Sequence, residues 1–147
     1  MGTPFQLVTV LVVDDIPLAR RIATRILSEE GYRVLEADGA DEALEVLSEA
    51  RGRVDLVLLD VVMPRGDGVA LTKAIRADWP AQRLLYMSAH PAEILARHGL
   101  KDLNVPFLAK PFTRVELLTK VNTALRHPGE SDSAIVERRK SRRLKGK

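Results

Sequence analysis

The chain contains no cysteine, so disulfides, thiolate metal sites and cysteine nucleophiles are excluded from the start. Aromatic residues make up only 4% of it. Trp79, Tyr86 and Phe107 are too scattered to form a base-stacking surface. No apolar run approaches membrane-spanning length, and the N-terminal "MGTPFQLVTVLVVDD" lacks the basic, apolar and small-residue parts of an export signal. His90, His98 and His127 show no metal-ligand spacing, and read as surface or packing residues. These absences favour a cytoplasmic protein.

What is present fits a globular domain with an appendage. Of 147 residues, 46% are hydrophobic and 29% charged, which is enough apolar material for one core and too little length for two. The net charge of +3 is unevenly spread, because "ERRKSRRLKGK" at the C-terminus holds seven Lys or Arg against one Glu, leaving 16 positive and 19 negative side chains in residues 1–136. Residues 1–127 are expected to form the domain, and residues 128–147 a basic, disordered tail entered through "HPGESDS". Such a tail could hold polyanions by charge alone, although the solvated reading is favoured. No recognition helix supports sequence-specific DNA binding.

Apolar runs of strand length alternate with segments of helical period. "VLVVDD" is followed by an amphipathic stretch in which Leu18, Ile22 and Ile26 share one face and Arg20, Arg21 and Arg25 the other, ended by Gly31. "YRVLEA" and "DEALEVLSEA" form the next pair. "VDLVLLD" precedes the turn "MPRGDG" and the helical "VALTKAIRADW", and "RLLYMSA" precedes a short helix expected from Pro91 to His98. "VPFLAKP" leads to Thr113 and Glu116, a T-x-x-E capping box that opens a last helix through Val121 and Leu125. Five β–α pairs imply a mostly parallel sheet covered on both faces, with the apolar first, third and fourth strands in its middle.

The chemistry gathers at strand ends. Asp14, Asp15, Asp60, Ser88 and Lys110 all fall where apolar runs stop, and in such sheets ligands bind outside the carboxyl ends of the strands. Clustered carboxylates repel one another, so they either hold protons or recruit a hard divalent cation, for which Mg2+ is the best candidate. Asp14 and Asp15 could alternatively cap the first helix. Taken alone, Ser88 could satisfy a local backbone group, and Lys110-Pro111 could be a solvated strand exit, with a trans bond as the default. Asp67 reads as a turn or helix-start residue.

Together, "VLVVDD", "DLVLLDVVMPRGDG", "YMSAH" and "FLAKPF" resemble the receiver domain of two-component signalling, the response-regulator phosphoacceptor module, in order and approximate spacing over residues 7–126. The resemblance implies a flavodoxin-like (βα)5 fold with a five-stranded parallel sheet in the order 2-1-3-4-5. It implies that Asp60 is phosphorylated and that Asp14, Asp15, Asp60 and the backbone carbonyl of Val62 surround Mg2+. Lys110 and Ser88 would contact phosphoryl oxygens, and Phe107 would be the switching aromatic coupled to Ser88. Val62 and His90 would tune the lifetime of the aspartyl phosphate. Such a domain catalyses only its own phosphorylation and slow dephosphorylation, and is not otherwise an enzyme.

The implied phosphate source is a histidine kinase or a histidine phosphotransfer protein. The downstream protein partner stays unread, and a homodimer is compatible with the sequence. Between the fourth and fifth strands, "ARHGLKDLNVPFLAKP" departs from the Ala-Gly-Ala-type segment of many receivers and is similar to receivers at the end of hybrid sensor kinases. Two rivals on related folds fit less well. A haloacid-dehalogenase-type phosphohydrolase would want D-x-D where "DDIP" stands, and a flavin site would want a hydroxyl-rich loop there.

Overall fold

A computed structural model describes residues 7–63, 68–89 and 105–126. The strands are β1 (Thr9–Val13), β2 (Arg33–Ala37), β3 (Leu56–Asp60), β4 (Leu84–Ser88) and β5 (Phe107–Ala109). The helices are α1 (Pro17–Glu29), α2 (Ala40–Ala50), α3 (Gly68–Asp78) and α4 (Arg114–Arg126). All strand pairs are parallel, in the order β2-β1-β3-β4-β5. The expected five-stranded parallel sheet is therefore present, with four helices among the described residues. The short helix expected from Pro91 lies outside them, as do His90, His98, His127, Asp67 and residues 128–147.

Every residue of β1, β3 and β4 is buried, as the continuous apolar runs require of strands covered on both faces. Alternation along each strand divides the core in two. Leu11, Val13, Val57, Leu59, Leu84 and Tyr86 point to the layer formed by Ala43 and Leu47 of α2 with Leu71 and Ile75 of α3. Val10, Val12, Leu56, Leu58, Leu85 and Met87 point to Ala23 and Leu27 of α1 and Leu117 and Val121 of α4. Truncating one of these fully buried leucines to alanine is expected to cost about 2–5 kcal/mol. The edge strands are less buried, and β5 is shorter than "VPFLAKP" suggested, with a single buried residue, Leu108.

Helix boundaries follow local chemistry. Pro17 occupies the first turn of α1, where a missing N–H costs nothing, and its N-cap is Ile16, so neither Asp14 nor Asp15 caps the helix. Gly31, at φ 95°, turns the chain out of α1. At α4 the capping box forms as expected: the Thr113 N–H donates to Glu116 Oε1 at 2.9 Å, and the Glu116 N–H donates to Thr113 Oγ1 at 3.1 Å. The chain leaves β1 toward β2 on one side and returns to β3 on the other. The crevice between the carboxyl ends of β1 and β3 is thus the point where strand order reverses.

Candidate functional site

Asp14 lies just past β1 and Asp60 ends β3, and these strands are neighbours with Val13 opposite Leu59. Both aspartates are buried, Asp14 completely. Asp14 itself turns the chain after the acidic pair, its Oδ1 accepting the Ile16 N–H at 3.0 Å. Arg20, one turn into α1, donates through Nη1 to the Asp14 backbone carbonyl at 2.7 Å. Carboxylate oxygens of Asp14, Asp15 and Asp60 all come within 4.8 Å of one another. The three acidic residues read from separate strand ends therefore share one site.

Lys110, just past β5, completes it. Its Nζ donates to Asp14 Oδ2 at 2.9 Å and to Asp60 Oδ2 at 2.8 Å. The other oxygen of Asp60, Oδ1, accepts the Val62 N–H at 2.9 Å, so both carboxylate oxygens are fixed by donors. The Lys110-Pro111 bond is cis, the form the resemblance implies, and not the trans default of an X-Pro bond read alone. Ser88, buried at the end of β4, accepts the Lys110 N–H on its backbone carbonyl at 2.8 Å and pairs in register with Ala109. Phe107 is half-buried on β5 opposite Tyr86 of β4, its ring centroid 5.4 Å from that of Tyr86 at 62°. Val62 exposes its side chain at the rim.

The electrostatics follow from burial. Desolvation pushes the Asp60 carboxyl above the ordinary aspartate range, and the opposing hydrogen bonds from Lys110 and Val62 only partly offset it, while Asp14 adds like-charge repulsion. For Lys110, burial alone would pull the ammonium down, but its bonds to Asp60 and Asp14 together outweigh it and hold the group above the usual lysine range. It stays a fixed cation. Three carboxylates against one ammonium leave two formal negative charges, which one divalent cation balances. An all-oxygen donor set suits a hard ion, so the residues fit a metal of the Mg2+ type.

Three features around the site were not read from the sequence. Arg20 looked like one more charge on the outer face of α1. Gly68 looked like turn chemistry, yet its N–H donates to the Val61 carbonyl at 2.8 Å, and a Cβ there would meet Val61 Cα at 2.8 Å and the Asp60 carbonyl oxygen at 3.1 Å. Only glycine lets α3 start this close to the turn after Asp60. Thr72 bonds both the Gly68 carbonyl and Tyr86, and nothing in its helical spacing marks that role.

This doubly wound fold, with an acidic crevice bridged by one lysine, defines a phosphoacceptor class. The chain belongs to the response regulator receiver domain family, which it matches over residues 10–122. It is 38% identical over 117 residues to the sensor kinase CckA of Brucella abortus, covering 80% of this chain and 12% of that one. To the response regulator MprA of Mycobacterium leprae it is 35% identical over 125 residues, covering 85% and 54%. The chain thus spans about half of one relative's length and a small part of the other's. The response regulator TrrA of Thermotoga maritima, solved in complex with Mg(2+)-BeF, superposes with a TM-score of 0.71 at 29% identity, over 81% of this chain and 100% of that one.

The chain is accordingly a receiver of two-component signalling with a phosphoacceptor role. Among the described residues, no helix is long and apolar enough to cross a membrane.

Proposed function

We propose that Asp60 accepts a phosphoryl group from a phosphohistidine carried by a histidine kinase or a histidine phosphotransfer protein in the cytoplasm, with Mg2+ held by Asp14, Asp15, Asp60 and the Val62 carbonyl. The observation that carries this reading is the Lys110 ammonium bonded to both Asp14 and Asp60. A lone buried lysine–aspartate pair would be structural. A lysine shared between two carboxylates, with a third beside them, leaves charge to be balanced by something else.

In the transfer, an Asp60 carboxylate oxygen forms a bond to phosphorus as the P–N bond to the imidazole breaks, and the imidazole keeps the electron pair. The metal, when bound, would offset charge on the phosphoryl oxygens. The chain's own residues do the positioning. Lys110 can move from carboxylate to phosphoryl oxygen, because an ammonium has no fixed bonding plane. Ser88 offers a hydroxyl from the end of β4, and its displacement would be felt by Phe107. A phosphoryl group adds charge and strong acceptors, which is enough to bias a two-state surface.

The side from which a donor would arrive is apolar. Ala19 and Ile22 of α1, Met87 and Ala89 around the end of β4, and Pro111 and Phe112 line a groove of about 380 Å³ that also reaches Lys110. Leu18, Ile22 and Val115 are exposed large hydrophobics on the helices that border this side. A protein donor could bury this surface while presenting its histidine to Asp60.

Incubation with Mg2+ and acetyl phosphate tests the assignment. The wild-type chain should acquire one acid-stable, base-labile phosphoryl group, and Asp60→Asn should acquire none. Labelling that persists in Asp60→Asn would remove Asp60 from its role, and labelling of neither would favour a binding module that no longer uses phosphate.

A further inference from the structure

A short chain of contacts joins the turn after Asp60 to the aromatic ring beneath Phe107. Gly68 is bonded through its N–H to the Val61 carbonyl, and its own carbonyl accepts the Thr72 hydroxyl at 2.7 Å. Thr72 has one hydroxyl proton, and the Gly68 carbonyl takes it. With that proton on the Gly68 carbonyl, Tyr86 is the donor in the 2.6 Å contact between its hydroxyl and Thr72 Oγ1. Thr72 and Tyr86 are both fully buried. The Tyr86 ring, held at its hydroxyl end by this bond, meets the Phe107 ring at 62° with centroids 5.4 Å apart.

We infer that the Tyr86–Thr72 hydroxyl pair positions the seat of Phe107 relative to the Asp60 turn, so that a ligand on Asp60 is felt at Phe107 partly through α3 rather than through Ser88 alone. Three properties support this. The path is short, because the Gly68 N–H is bonded to the Val61 carbonyl at 2.8 Å and even a Cβ added at Gly68 would collide with Val61 Cα. Its two hydroxyls are joined in series, at 2.7 Å to the Gly68 carbonyl and 2.6 Å to each other, so a shift of that carbonyl moves both. Both ends of the path are residues of the proposed function: the Val61–Val62 turn supplies an N–H to Asp60, and Phe107 is its switching aromatic. The inference rests on that assignment of Phe107.

The test reads the environment of Phe107 directly. The full chain is labelled with 4-fluorophenylalanine, the Phe107 signal is assigned by its loss in Phe107→Leu, and spectra are taken with and without Mg2+ and beryllofluoride, a phosphoryl stand-in. The wild-type signal should shift on addition. Tyr86→Phe and Thr72→Val should each reduce that shift to about half or less, while Thr72→Ser, which keeps the hydroxyl, restores it. Acetyl phosphate should label all three variants within about threefold of wild type, because none of these side chains touches Asp60.

A purely structural role would instead lower the melting temperature of Tyr86→Phe and Thr72→Val and leave the shift intact. The double variant, which removes both partners and leaves no buried hydroxyl orphaned, should reduce the shift to about half or less as each single variant does. An undiminished shift in either single variant overturns the inference and leaves the phosphoacceptor reading standing. A wild-type chain that labels at Asp60 but shows no Phe107 shift overturns Phe107 as the switch and this inference with it.

Discussion

The two ends of the sheet handle buried polar groups in opposite ways. At the amino ends of the strands two buried groups have dedicated partners: the Thr9 N–H donates to Oδ2 of the exposed Asp55 at 2.8 Å, and Gln82 donates through Nε2 to the Val54 carbonyl at 3.0 Å and the Arg83 carbonyl at 3.2 Å. At the carboxyl ends, Asp14 and Asp60 compete for one lysine beside a third carboxylate. The first arrangement closes a fold. The second leaves negative charge uncompensated, and its three carboxylates could hold a metal ion.

This contrast predicts opposite stability effects. Asp55→Ala strips a partly buried N–H of its acceptor and should cost about 1–3 kcal/mol in a urea titration, with phosphoryl labelling unchanged. Asp60→Asn, measured without divalent metal, should raise stability, because it removes a desolvated charge that neither Lys110 nor Val62 fully offsets. Added Mg2+ should stabilise the wild type strongly and Asp60→Asn much less. Equal losses from both substitutions would erase the distinction between the two ends.

Next in size is the effect at the groove. Ile22 is 47% exposed, so Ile22→Asp should leave the fold intact and place a charge where a protein donor would bury apolar surface. Transfer from a cognate phosphohistidine protein should slow by about tenfold, equivalent to ~1.4 kcal/mol, while labelling by acetyl phosphate stays unchanged. Equal slowing of both would mean that Ile22 acts on the site itself and that the groove is not a docking surface.

A smaller effect is the pH dependence of the metal-free chain. Asp60 has a folded-state pKa above its unfolded one, so its contribution to stability is complete below the ordinary carboxylate range and is lost as pH rises through the raised value. Urea midpoints of wild type relative to Asp60→Asn should therefore fall from acidic toward neutral pH. Lys110 is raised as well, so the stability it adds is present below the usual lysine range and is lost only at strongly alkaline pH. A difference between wild type and Asp60→Asn that does not change with pH would mean that Asp60 ionises as freely folded as unfolded.

The unequal legibility of the two ends has a physical cause. Strands β1, β3 and β4 were readable because burial on both faces demands unbroken apolar runs, and Asp14, Asp60 and Lys110 were readable because charge is conspicuous where such a run stops. The resemblance to receivers then gave the charges roles, and the structure brings those side chains together. Thr72 and Tyr86 were not readable, since a threonine on a helix and a tyrosine in a strand are ordinary residues until the fold sets their hydroxyls 2.6 Å apart. Asp55 was equally silent. Its partner is a backbone N–H, which every sequence has.

The smallest expected effect belongs to a third kind of polar contact, the exposed one. Arg114, at the start of α4, donates to Glu29 at 2.8 Å and to Glu30 at 3.0 Å at the end of α1. All three side chains are half exposed, so solvent and salt screen the interaction and Arg114→Ala should barely move the urea midpoint. The contact should still show in a titration. The hydrogen bond from Arg114 holds the Glu29 carboxyl below the usual glutamate range, with Arg25 adding to it, so whatever stability Glu29 adds is present above its unfolded pKa and lost as pH falls through the lower folded value. In Arg114→Ala the Glu29 side-chain resonance should titrate at higher pH than in wild type, and the difference should shrink with added salt. An unchanged titration would mean that the bridge between α1 and α4 is not populated in solution, and that the ion pairs that matter here are the buried ones around Lys110.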